Sequence, residues 1–179
     1  FEENDLTNTM WTAHTGTAGT VVTDQAHSGT YAYQPPTGDA SNLLRRDLSA
    51  SITTGDTWFR WYFRTSTGWT TNVPMFQVLD NSGVPIIAQV WRLSTEKLRV
   101  KNVGTAATAD TTTVLSLDTW YRIEVRIRVH ATAGQVELRL FLADSTTALE
   151  TIQTADGALN GFARLLFGKS SGDAGNWSG

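Results

Sequence analysis

Cysteine is absent from the 179 residues, which excludes a disulfide framework and a thiolate metal centre but leaves the compartment open, since exported domains also lack it. No apolar run approaches the ~20 residues that a membrane-spanning helix requires, and no segment has the layout of a signal peptide. With no initiator Met before Phe1, the chain reads as a piece of a longer protein. Basic residues are few: 14 Lys and Arg stand against 17 Asp and Glu, a formal charge of -3, which argues against a dedicated nucleic-acid binder. Three separated histidines, and acids never spaced as in a calcium loop, supply no metal-ligand motif. Helical periodicity is missing too, so a turn or two of helix is the most expected.

Present instead are seven Trp, seven Phe and four Tyr, with a charged fraction of only 17%, enough aromatic bulk for one core in a chain of this length. Period-two runs separated by Gly, Asn, Asp, Ser and Pro predict strands at 21–23, 30–34, 42–48, 57–65, 75–80, 84–93, 97–102, 120–129, 136–142 and 161–168, with 170–179 a loop. Asn81-Ser82-Gly83 predicts a hairpin link. Alternation is clearest twice. Phe59, Trp61 and Phe63 oppose Arg60, Tyr62 and Arg64; Tyr121, Ile123, Val125, Ile127 and Val129 oppose Arg122, Glu124, Arg126 and Arg128. After a turn at 130–134, Val136, Leu138, Leu140 and Leu142 resume the apolar side. With no repeat and no linker, residues 1–179 read as one all-β domain, a two-sheet antiparallel sandwich of the jelly-roll type.

Phe1-Glu2-Glu3 followed by Trp11, the run Ala26 to Ala32, Trp120 to Val125, and Gly134 to Phe141 resemble the laminin-G-like members of the concanavalin A-like lectin and glucanase superfamily. The resemblance implies a concanavalin A-like jelly roll. It leaves function open among lectins, glycosidases, lyases, adhesion modules and phage virion proteins. It also implies a structural calcium ion as the one cofactor to consider, with Glu2 and Glu3 as ligands.

Catalytic motifs are incomplete. A retaining glycosidase needs two carboxylates about 5 to 5.5 Å apart, and the strand of alternating acids found in glucanase relatives corresponds here to Glu124 alone, between Arg122 and Arg126. In the lyase relatives a Gln-Ile-His or Gln-Val-His strand supplies the base, whereas Gln77-Val78-Leu79 lacks the His. Tyr62 remains as a candidate acid, and His14, His27 and His130 are expected at the surface near turns.

The charged side offers a binding reading. Arg60, Tyr62, Arg64, Gln77, Gln89, Trp91, Arg122, Glu124, Arg126 and Arg139 are expected to share one face, where guanidinium groups suit carboxylate or sulfate and aromatic rings suit a sugar's apolar side. Pairing Val129 with Val136 sets Arg126 directly across from Arg139, an unfavourable arrangement unless an acid or a bound anion lies between. The bland alternative is a salt-bridge ladder that only keeps the sheet soluble. Trp69, Trp91 and Trp177 stay undecided between core and platform. The expected function is a non-catalytic carbohydrate-binding or adhesion module for a polysaccharide or cell-surface glycan, extracellular or on a virion. A jelly-roll lyase and a phage tail component are the alternatives.

Overall fold

The computed structural model describes residues 13–16, 20–24, 26–34, 42–80, 82, 85–169 and 177–178. One antiparallel sheet has seven strands in the order β1 (Ala13–Gly16), β4 (Asn42–Ile52), β13 (Phe162–Lys169), β6 (Val73–Asp80), β7 (Ile86–Arg92), β8 (Leu98–Asn102) and β9 (Ala107–Asp110). The other runs β11 (Glu150–Gln153), β10 (Tyr121–Leu142), β5 (Gly55–Thr65) and β14 (Trp177–Ser178), with β12 (Gly157–Leu159) joined to β10. A separate ribbon pairs β2 (Thr20–Val22) with β3 (Ala32–Gln34). Among the described residues there is no helix.

The apolar faces meet as their alternation requires. Phe59 and Trp61 of β5 lie 5.1 and 5.2 Å from the ring of Phe76 on β6, and Trp61 meets Phe167 of β13 at 5.4 Å. Ile123, Val125, Ile127, Val136, Leu138 and Leu140 complete the buried layer beneath them. Burying a side chain of this kind stabilises by about 1.5–3 kcal/mol, so the two sheets hold each other without any cross-link. Leu142 falls outside this layer and is exposed, because the chain turns away after it. The segment read as a terminal loop contains a short strand, with Trp177 paired to Thr65 and Ser178 to Arg64.

β10 is a 22-residue stretch that doubles back on itself. Eleven extended residues span about 36 Å, yet Arg126 Nη2 and Glu137 Oε2 are 2.6 Å apart. The Ala143 N–H donates to the Trp120 carbonyl at 3.0 Å and Arg122 lies over the Phe141 ring, so Arg126 faces Glu137 and Glu124 faces Arg139. The expected register is therefore corrected by two residues. Its cause is a tighter turn: His130 Nδ1 accepts hydrogen bonds from the N–H groups of Thr132 and Ala133, at 3.1 and 2.9 Å. The shift replaces an arginine pair with two pairs of opposite charge, which removes the repulsion that the longer turn would have built in.

Gly134 fits this turn against β12. A Cβ there would come within 2.5 Å of Leu159 Cβ, 2.7 Å of its backbone N and 2.8 Å of the Gly157 carbonyl. Gly134→Ala is expected to lower stability by about 1–3 kcal/mol through overpacking. Urea denaturation should show a lower midpoint at unchanged slope; an unaltered midpoint would mean that β12 moves aside freely.

Candidate functional site

Period two carries Trp58, Arg60, Tyr62 and Arg64 of β5 to the outer side of the second sheet. β5 pairs with the first arm of β10 so that Trp58 adjoins Arg126, Arg60 adjoins Glu124 and Tyr62 adjoins Arg122. The second arm adds Gln135, Glu137, Arg139 and Phe141. Seven of the ten residues expected to share a face do so: Arg60, Tyr62, Arg64, Arg122, Glu124, Arg126 and Arg139.

Gln77, Gln89 and Trp91 do not. They lie on the seven-stranded sheet, where Arg45, Leu166, Gln77, Gln89, Lys101 and Thr108 stand side by side in register. Because Phe76, Val78, Ala88 and Val90 fill the core, this row looks out from the opposite side of the sandwich. Gln77 and Gln89 are buried, and the Gln89 carbonyl accepts from the Trp91 indole N–H at 3.1 Å. Further along the same side, Asp47 lies between Arg45 and Arg164. Hydrogen bonding from Arg45 and then Arg164 outweighs burial and holds its carboxyl at about 2.

The charged face combines the two readings. Each of two acids, Glu137 buried and Glu124 partly so, serves two arginines: Glu137 is paired with Arg126 at 2.6 Å and accepts from Arg139 Nε at 2.8 Å, while Glu124 takes Arg60 Nε at 2.9 Å and lies 3.2 Å from Arg122 Nε. Asp56 pairs with Arg128 at 3.1 Å, and Arg64 with Asp118 at 3.6 Å. Arg122 and Arg126 keep only 12% and 14% of their side-chain surface, so both are struts of the ladder and not docking groups. Arg60 and Arg139 keep 66% and 42%.

A residue the sequence reading passed over completes the site. Trp58 is 44% exposed, with Arg139 4.6 Å and Arg126 5.9 Å from its ring centroid. With Phe59, Arg60, Glu124 and Arg139 it lines an open pocket of 440 Å³. The signal was available, since the alternation that exposes Arg60 also exposes the residue two before it. Trp69, by contrast, is buried beneath Arg92, and the Trp177 side chain lies outside the described residues.

His27 is another correction. It is largely buried, its ring stacked on Tyr62 at 3.9 Å and edge-on to Trp120 at 5.3 Å. The Tyr62 hydroxyl donates to Asp144 Oδ1 at 2.8 Å, and His27 Nε2 lies 3.6 Å from Asp144 Oδ2. The segment around residue 27 thus roofs one end of the charged face. His14 is a strand residue of β1 paired with Leu44. Glu2 and Glu3 fall outside the described residues, and among the described ones no three His, Asp or Glu gather as metal ligands do.

No family model matches the sequence, and no curated protein matches it. Solved structures do resemble the chain. Lectin I from Ulex europaeus, in complex with the methyl glycoside of α-L-fucose, superposes with a TM-score of 0.56 at 10% identity, covering 99% of this chain and 94% of that one. The Ca2+/Man2-bound exoplasmic/lumenal domain of VIP36 gives 0.55 at 9%, covering 92% and 79%. Lectin II from Ulex europaeus gives 0.53 at 9%, covering 94% and 97%. What is shared at such identities is the architecture, the concanavalin A-like lectin jelly roll.

Proposed function

We propose that this concanavalin A-like jelly roll is a non-catalytic glycan-binding module, and that its site is the Trp58 pocket. The observation that carries the reading is an exposed indole that shares an open pocket with two accessible guanidinium groups, Arg60 and Arg139, the latter 4.6 Å from its ring. An indole offers the apolar side of a sugar ring a flat partner. The guanidinium forks of Arg60 and Arg139 favour an acidic polysaccharide over a neutral one. The sugars named with the similar lectins, Man2 and the methyl glycoside of α-L-fucose, support a glycan as the ligand; the preference for an acidic one rests on the arginines. The role fits residues 1–179 acting as one domain of an exported or virion-surface protein that holds its parent to a polysaccharide or cell-surface glycan.

The lyase alternative finds less support. Tyr62, its candidate acid, already donates to Asp144, and His27 lies ring against ring on Tyr62, not open to a substrate.

Trp58→Ala should weaken retention in affinity electrophoresis through acidic polysaccharide about tenfold, equivalent to ~1.4 kcal/mol. The melting temperature should hardly move, since surface changes usually stay within about 0.5 kcal/mol. Retention equal to that of the parent chain would place the site elsewhere.

A further inference from the structure

The two guanidinium groups at the pocket are the outer members of two matching triads. Arg126, Glu137 and Arg139 form one; Arg122, Glu124 and Arg60 form the other. The second sets two positive charges against one negative; the first also touches Asp56, 3.7 Å from Arg126, which Arg128 pairs at 3.1 Å, so with that pair counted it sets three positive charges against two negative, and each cluster retains one positive charge. In both, the inner arginine is occluded and the outer one accessible, which brings the surplus to Arg139 and Arg60.

Both outer arginines donate to the protein through Nε, and Arg139 also lies against the Trp58 ring. Among the described residues their terminal Nη groups have no acceptor, and the anchor limits the directions in which each fork can point. A planar carboxylate meets such a fork with two parallel hydrogen bonds.

Spacing decides what kind of polymer suits them. Arg139, Glu124 and Arg60 stand in one row across three neighbouring strands, so the two arginine Cα atoms are two strand intervals apart, about 9.6 Å. That is roughly the length of two sugar residues in an extended chain. Between them lies the Glu124 carboxylate, which lines the same pocket. That carboxylate is already taken by Arg60 and Arg122, and Arg122 is occluded, so the middle of the row offers no free donor. A polymer with an acid on each residue would set one of its carboxylates there without a partner, which costs free energy.

We infer that the pocket takes a linear glycan bearing a carboxylate on every second residue, laid across the strands with an uncharged residue over Glu124 and beside Trp58. The inference rests on the glycan-binding reading of this pocket and specifies its ligand class.

Three probes test it at physiological ionic strength: hyaluronan, with a carboxylate on alternate residues; polygalacturonate, with one on each; and carboxyl-reduced hyaluronan, with none. Titration calorimetry on the full chain should give hyaluronan at least a tenfold advantage over both of the others. Glu124→Gln, which can still accept from Arg60, should narrow the gap to polygalacturonate several-fold. Equal or tighter binding of polygalacturonate by the parent chain would overturn the spacing argument. Equal binding of the carboxyl-reduced polymer, lost in Trp58→Ala, would overturn it too while leaving the glycan site intact. If none of the three bound, the glycan-binding reading itself would fall.

Discussion

Arg92→Met should destabilise the protein by about 3 kcal/mol, the low end of what removing one partner of a buried ion pair costs, because Arg92 is fully buried and Glu96 only partly. In a chain of this size that corresponds to a fall in melting temperature of roughly 10 °C. Arg92 lies on β7 between Val73 and Leu98 in register. Alternation with Ala88 and Val90 therefore turns it toward the core, where it is fully buried. Glu96 pairs with it from the following turn, Trp69 offers its ring face at 4.5 Å, and Thr65 Oγ1 is 3.4 Å from Nη2. Glu96 also accepts from the Trp69 backbone N–H at 3.0 Å, so one carboxylate ties two loops to the sheet end. Taking away the guanidinium leaves that carboxylate in a site built for a cation. The double variant Arg92→Met with Glu96→Gln should recover part of the loss, because a neutral amide can still accept from Trp69 and no stranded charge remains. A single variant that melted within a degree of the parent would show that the end of the sandwich opens to water readily.

Phe76→Ala should cost as much or more, about 3–5 kcal/mol. Its ring is the partner of both Phe59 and Trp61, so truncation opens a cavity at the centre of the inter-sheet contact. Phe76→Leu should cost less, around 1–1.5 kcal/mol, if the neighbours repack about the smaller side chain. Urea unfolding of the pair distinguishes cavity from chemistry: the gap between the two variants should approach 2 kcal/mol or more, as expected where the site cannot collapse. Equal midpoints would show that Phe59 and Trp61 close over the space.

Much of this arrangement was legible before any coordinate. The alternation at residues 57–65 and 120–129 placed Phe59, Trp61 and Ile123 in the core and Arg60, Arg122 and Arg126 outside, as found. Other features were less open to inspection. Alternation assigns a side chain to one of two faces within its own strand, but it does not say which sheet the strand joins. Gln77 and Gln89 therefore looked like partners of the arginines until strand order put them on the far side. Hairpin register depends on how many residues the turn consumes, and here an imidazole nitrogen accepting two backbone N–H groups shortened it. Arg92 and Trp58 were both within reach of the same alternation argument, one as an unexpected inward charge and the other as an unexpected outward aromatic.

By itself the sequence determined that this protein is all-β, how its strands divide into apolar and polar sides, and that one polar side is rich in arginine, because side-chain periodicity is a local property of extended chain. Only the tertiary structure decided which of those arginines are accessible. Accessibility depends on what stands across the neighbouring strand: Glu137 meets Arg126 only once β10 has folded back, and Glu124 meets Arg60 only once β10 has paired with β5.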